Sequence, residues 1–73
     1  MAKPRRKMRR IRKQRGIAVS DAAQCLGVSK DAWYMWELGK RTPQVDMAIR
    51  IARLLGVSVE DIFADDTSRD KVS

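Results

Sequence analysis

The sequence predicts a small all-α domain of five short helices, and three observations lead there. Apolar residues recur three and four apart through the body of the chain, the spacing that gathers them on one face of a helix. Gly16, Gly27, Gly39 and Gly56 stand where such stretches end, the place past a helix C-terminus that favours a left-handed residue. Strand signals are missing, and 73 residues leave room for one domain only.

The elements follow in order. A first helix is expected from about Arg5 or Lys7 to Arg15, with Met8 and Ile11 on a narrow buried stripe and basic residues elsewhere. A second, Val19 to Leu26, offers Ala22, Ala23 and Leu26 to the core, and its small side chains let another helix come close. Ser29 is a good N-cap for a third helix running to about Leu38. Thr42 before Pro43 reads as an N-cap followed by a first-turn proline, which opens a fourth helix to Leu55 with Val45, Ala48, Ile49, Ile51, Ala52 and Leu55 as its apolar face. Ser58 and Asp61 suit a capping box for a short fifth helix whose Val59, Ile62 and Phe63 close the core. Residues 64–73 are polar and aperiodic, the pattern of a frayed tail. The expected organisation is thus an arm over residues 1–7, a domain over 8–63 and a tail over 64–73.

Charge is concentrated at one end. Nine of the sixteen basic residues fall within positions 1–16, which hold no acid, leaving seven bases against nine acids over the rest. Such a block attracts polyanions, nucleic acid first, while the bland alternative is a solvated arm. No apolar run is long enough for a membrane span or a secretory signal, so a cytoplasmic protein is expected. The same segment has few large side chains to insert at a membrane surface. Cys25 is the single cysteine and histidine is absent, so neither an internal disulfide nor a zinc site has its ligands, and Cys25 reads as a buried or idle thiol. No metal, cofactor or catalytic constellation is expected, hence no enzyme.

Two short helices joined by a glycine-containing turn are the signature of a helix-turn-helix unit, here helices two and three. The wider match is more specific. The segments MRRIRKQRG, LGVSKDAWYMWELGKRTP and IARLLGVSVEDIF resemble the lambda-repressor-like family of helix-turn-helix proteins, of the Cro/CI or Xre type, over 56 of the 73 positions. The resemblance implies a compact five-helix bundle whose third helix enters the DNA major groove.

Helical phase divides that third helix. Residues 29, 32, 33 and 36 share one face, and 30, 31, 34, 35 and 38 share the other. In the family, the positions matching Trp33 and Trp36 pack inward, and those matching Lys30, Asp31, Tyr34 and Met35 face bases. Lys30 suits guanine O6 or N7, or a phosphate; Asp31 can accept from cytosine N4, or simply favour the positive end of the helix dipole. Tyr34 and Met35 suit a base edge, a thymine methyl, or the surface of a partner protein. Ser29, Lys40, Arg41, Arg5, Arg6, Arg9 and Arg10 are candidate phosphate contacts, and the arm is suited to the phosphates or to the minor groove. The family pairs the positions matching Arg12 and Glu37, which would make these two a structural ion pair. One departure stands out: at the start of helix two the family usually offers a hydrogen-bonding cap followed by glutamine, where this chain has Ala18 and Val19. That anchor is missing unless backbone amides serve, or Ser20 becomes the cap and the helix starts late.

These readings lead to a sequence-specific double-stranded DNA-binding transcriptional regulator, a repressor occupying a palindromic operator as a homodimer. Leu54, Val57, Val59 and the surface around Phe63 are the candidate dimer contacts. The alternative is an antitoxin or adaptor whose main partner is another protein, met through Tyr34 and Met35.

Overall fold

The basic segment is helical from Arg6, within the start expected at about Arg5 or Lys7. In the computed structural model, which describes residues 4–63, α1 spans Arg6–Gln14, so Arg6 and Lys7 belong to a helix rather than to an arm. Four further helices follow, α2 Val19–Leu26, α3 Lys30–Glu37, α4 Val45–Leu55 and α5 over residues 59–63, with no strand among the described residues. The expected tail, residues 64–73, lies outside the described residues. Among the described residues no helix is long and apolar enough to cross a membrane.

The core collects one stripe from each helix. Met8, Ala22, Trp33, Ile51 and Leu55 are fully buried, joined by Ile11, Val19, Trp36, Ala48, Ala52, Ile62 and Phe63. Trp33 and Trp36 meet edge to face, with ring centroids 6.3 Å apart, a contact worth about 0.5–1.5 kcal/mol beyond their burial. Ala22 and Ala23 on α2 are nearly devoid of exposure, and their size is what admits the indoles of α3 to the centre. Leu26 is only half-buried, and Cys25, expected to be buried or idle, is exposed.

Between α2 and α3 the chain turns on Gly27, which takes φ +70°. The amides of Gly27 and Val28 donate back to the carbonyls of Gln24 and Ala23, satisfying two of the last α2 carbonyls. A side chain at Gly27 would be opposed by that backbone conformation alone, since a Cβ there meets nothing within 4 Å. Ser29 then caps α3, its hydroxyl accepting from the Ala32 amide at 3.1 Å. Ala18 sits at the α2 N-cap with extended backbone and no side-chain bond, so Ser20 is not the cap and the helix starts without one.

The fourth helix departs from its expectation. It begins at Val45 with Gln44 as N-cap, not at Thr42–Pro43. Thr42 does not cap it; its hydroxyl instead accepts from Arg5 Nη2 at 3.0 Å. The buried face is consequently narrower: Ala48, Ile51, Ala52 and Leu55 point inward, while Val45 is 78% and Ile49 40% exposed. The chain then enters α5 through a reciprocal capping box, Asp61 N to Ser58 Oγ at 3.2 Å and Ser58 N to Asp61 Oδ2 at 3.1 Å. The Asp61 carboxyl is held below its ordinary value by the Ser58 amide first, then by the Ser58 hydroxyl and Lys7, whose ammonium lies 3.8 Å away.

Candidate nucleic-acid interface

Helix α3 carries the candidate reading surface, and its inner side is fastened before its outer side is offered. Glu37, on the last turn, is buried, and one carboxylate oxygen, Oε2, accepts from Arg12 Nε and from Trp33 Nε1, each at 2.6 Å. Arg12 Nη1 also donates to the Ile17 carbonyl at 2.8 Å, so the same guanidinium ties α1 to the α1–α2 turn and to α3. Charge-assisted bonds this short in a desolvated site are strong, and they leave α3 little freedom to roll.

Opposite that anchor, Lys30 and Asp31 are exposed, Tyr34 is 46% exposed and Met35 is half-buried. Leu38, which shares their phase but drew no role from the sequence, is as exposed as Tyr34. The outer face is therefore charged at its N-terminal end and apolar at its C-terminal end. Ser29 is exposed, though its hydroxyl is committed to the Ala32 amide.

Cations flank the helix on two sides. Beyond its C-terminus, Lys40 and Arg41 are exposed, and their backbone amides both donate to the Met35 carbonyl, at 3.0 and 3.3 Å, which pins the loop under the helix. Alongside it runs α1. A groove of about 500 Å³ separates the two helices, with Arg6 and Arg9 on one wall and Tyr34 and Leu38 on the other. Arg6 and Arg9 also border a shallow depression with Arg10 and Lys13, so the cationic face of α1 continues toward the apolar edge of α3, and the acid that lines the groove between them, Glu37, is paired with Arg12. Arg6, Arg9 and Arg10 are all exposed.

Arg5 departs from its expected place among the phosphate contacts. It is 9% exposed, and its guanidinium donates to the carbonyls of Trp36 and Arg41 and to Thr42 Oγ1. Hydropathy does not distinguish it from its neighbour Arg6, but helical phase does: Arg5 stands three and seven residues before the buried Met8 and Arg12, whereas Arg6 is in phase with the exposed Arg9, Arg10 and Lys13. At the start of α2, where the chain lacks a polar anchor, Asp21 in the first turn complements the helix dipole.

Comparison with known proteins agrees with this arrangement. A family model described as helix-turn-helix matches residues 8–62. An uncharacterized HTH-type transcriptional regulator of Methanocaldococcus jannaschii is 37% identical over 57 residues, covering 78% of this chain and 86% of the relative. Another from Archaeoglobus fulgidus is 31% identical over 62 residues, 85% of this chain and 89% of the relative. The HTH-type regulator YqaE of Bacillus subtilis is 31% identical over 65 residues, 89% of this chain and 55% of the relative. With its five helices, its glycine turn between α2 and α3 and these matches, the chain belongs to the lambda-repressor-like helix-turn-helix family.

Proposed function

We propose that this protein is a sequence-specific regulator of transcription that binds double-stranded DNA, inserts α3 into the major groove and represses by occupying its operator. The observation that carries the reading is the division of α3. Trp33, Trp36 and Glu37 are buried and hold the helix, while Lys30, Asp31 and Tyr34 are exposed between two sets of cations. Lys30, Asp31, Tyr34 and Met35 are the base-contacting set; Ser29, Lys40, Arg41, Arg6, Arg9 and Arg10 hold phosphates. The names of the two archaeal relatives, both HTH-type transcriptional regulators, support the same reading. Action by occupancy needs no catalytic group, and the protein works in the cytoplasm as a DNA-binding domain over residues 8–63.

One such module reads only a few base pairs, so the operator is a palindrome bound by a homodimer. An apolar cleft of about 380 Å³ between the start of α4 and α5, lined by Val45, Ile49, Val59 and Phe63, supports a self-association surface. Val45 and Ile49 are its exposed rim, whereas Leu54 and Val57 are already half-spent on the core.

The test combines selection of bound sites from a random DNA pool with a salt series on the selected site. Each phosphate contact contributes a slope of about −0.9 in log affinity against log salt, so several contacts give a steep fall. A flat response, or a selected pool with no shared sequence, would overturn the proposal. The exposed Tyr34 and Leu38 favour one rival reading, a module that docks another protein. Replacing Tyr34 and Met35 together by alanine separates them: base reading loses sequence preference, while docking leaves DNA binding unchanged and loses the protein partner.

A further inference from the structure

Arg5 connects more parts of this fold than any other charged residue described above. Its backbone amide donates to the Glu37 carbonyl at 2.8 Å. One guanidinium nitrogen donates to the Trp36 carbonyl and, at 3.0 Å, to that of Arg41; the other donates to Thr42 Oγ1, also at 3.0 Å. The guanidinium carbon lies 5.0 Å from the centre of the Phe63 ring, within cation–π range. The residue just before α1 therefore gathers the C-terminal end of α3, the loop after it and α5.

The acceptors explain why a cation suits this place. The carbonyls of Trp36 and Glu37 are among the last four of α3, which lack partners inside the helix and carry the negative end of its dipole. The guanidinium serves the Trp36 carbonyl, which also accepts from the Gly39 amide, and reaches Arg41 and Thr42 as well, with its carbon over the Phe63 ring, while the Glu37 carbonyl is met by the Arg5 backbone amide. A lysine ammonium lacks the planar fork and cannot reproduce that set.

The consequence concerns Lys40 and Arg41. They stand on a short span whose two ends, Trp36–Glu37 and Arg41–Thr42, are both bonded to Arg5, and whose amides share the Met35 carbonyl. We infer that Arg5 is a positioning residue for DNA binding: it makes no phosphate contact itself but holds Lys40 and Arg41, and the end of the reading helix, in the pose that meets the DNA backbone. This inference rests on the function proposed above for the loop cations.

The experiment uses the full chain, the variants Arg5→Lys, Arg5→Met and Thr42→Val, and Arg6→Met as an exposed comparison. Without DNA, site-resolved amide exchange at Lys40 and Arg41 is expected to speed up roughly tenfold in both Arg5 variants, the scale of losing charge-assisted hydrogen bonds, while Ala52 and Leu55 amides in α4 change far less. Thr42→Val removes one acceptor and leaves the core intact, so it is expected to show the same change in smaller measure even if the Arg5 variants fold poorly. Unchanged exchange at Lys40 and Arg41 in Thr42→Val and in the folded Arg5 variants overturns the inference.

With DNA selected by the unmodified chain, Arg5→Lys and Arg5→Met should both flatten the salt slope by about two contacts, roughly −1.8 made positive, against about one contact for Arg6→Met. If Arg5→Lys instead binds like the unmodified chain and Arg5→Met loses a single contact, Arg5 is itself a phosphate ligand and the inference is wrong. Failure of the unmodified chain to bind DNA at all sinks the regulatory reading, and with it the DNA half of this inference, while the exchange result still decides whether Arg5 holds the loop.

Discussion

Replacing Glu37 by alanine should cost this domain a large part of its stability. The side chains of Arg12 and Glu37 are 10% and 6% exposed, so their attraction is little screened by solvent. Removing the carboxylate strands the Arg12 guanidinium, which keeps only its bond to the Ile17 carbonyl, and leaves the buried Trp33 indole N–H without an acceptor. Breaking a buried pair from one side costs about 3–5 kcal/mol, and the orphaned indole adds to the upper part of that range. A domain of this length has roughly 4–11 kcal/mol in total, so the variant should sit near the edge of folding. A loss of about 3 kcal/mol corresponds to a fall of roughly 12–24 °C in midpoint. Urea unfolding followed by tryptophan fluorescence measures it directly, because Trp33 and Trp36 are the chain's two tryptophans and both lie within the turn of helix that precedes Glu37. Glu37→Gln, which keeps one acceptor, should lose less. Arg12→Met combined with Glu37→Ala should cost about 1–3 kcal/mol less than the two single changes added together, since the second change removes the stranded charge. A Glu37→Ala loss below about 1 kcal/mol, the worth of a surface pair, would refute the account, as would strictly additive single changes.

Three other outcomes follow from local geometry. Ala18 already has the extended backbone of an N-cap but no capping side chain, so Ala18→Ser should raise stability by about 1 kcal/mol, measured as the shift in urea midpoint. Gly27→Ala should cost about 1–2 kcal/mol from its left-handed backbone alone, and Gly27→Asn clearly less; equal losses would mean that a steric contact, not the backbone, decides. Because the folded-state pKa of Asp61 is depressed, its contribution is present above the ordinary carboxylate pKa and disappears as pH falls through the lowered value. Asp61→Asn should therefore lower the thermal midpoint at neutral pH and make no difference at about pH 2, and a deficit that persists in acid would contradict this origin.

Much of the fold is legible in the chain because its signals are local. Val19–Leu26 and the Ser29 cap follow from periodicity and a single hydroxyl; helical geometry puts Trp33 and Trp36 on one face, and the family resemblance turns that face inward. The errors arise where a distant group competes. Thr42–Pro43 has the local form of a helix start, but Arg5, 37 positions away, takes the hydroxyl and the helix begins at Val45. Val45 and Ile49 fit the apolar period of α4, yet no described residue covers them and they remain exposed.

The sequence by itself determined the helical class and the helix-turn-helix, which depend on spacing within a few residues, and its resemblance over 56 positions determined the family and which face of α3 turns outward. Helical phase already sets Arg5 with Met8 and Arg12 and Arg6 with the exposed cations, but only the tertiary structure decided what the Arg5 guanidinium meets. Arg6 stays in solvent beside Tyr34 and Leu38, while Arg5 is drawn into the fold by carbonyls at the end of α3 and in the loop beyond it. The reason is that phase turns a side chain toward the fold, while the acceptors that hold it there, the carbonyls of Trp36 and Arg41 and the Thr42 hydroxyl, are brought within reach only by the folded backbone.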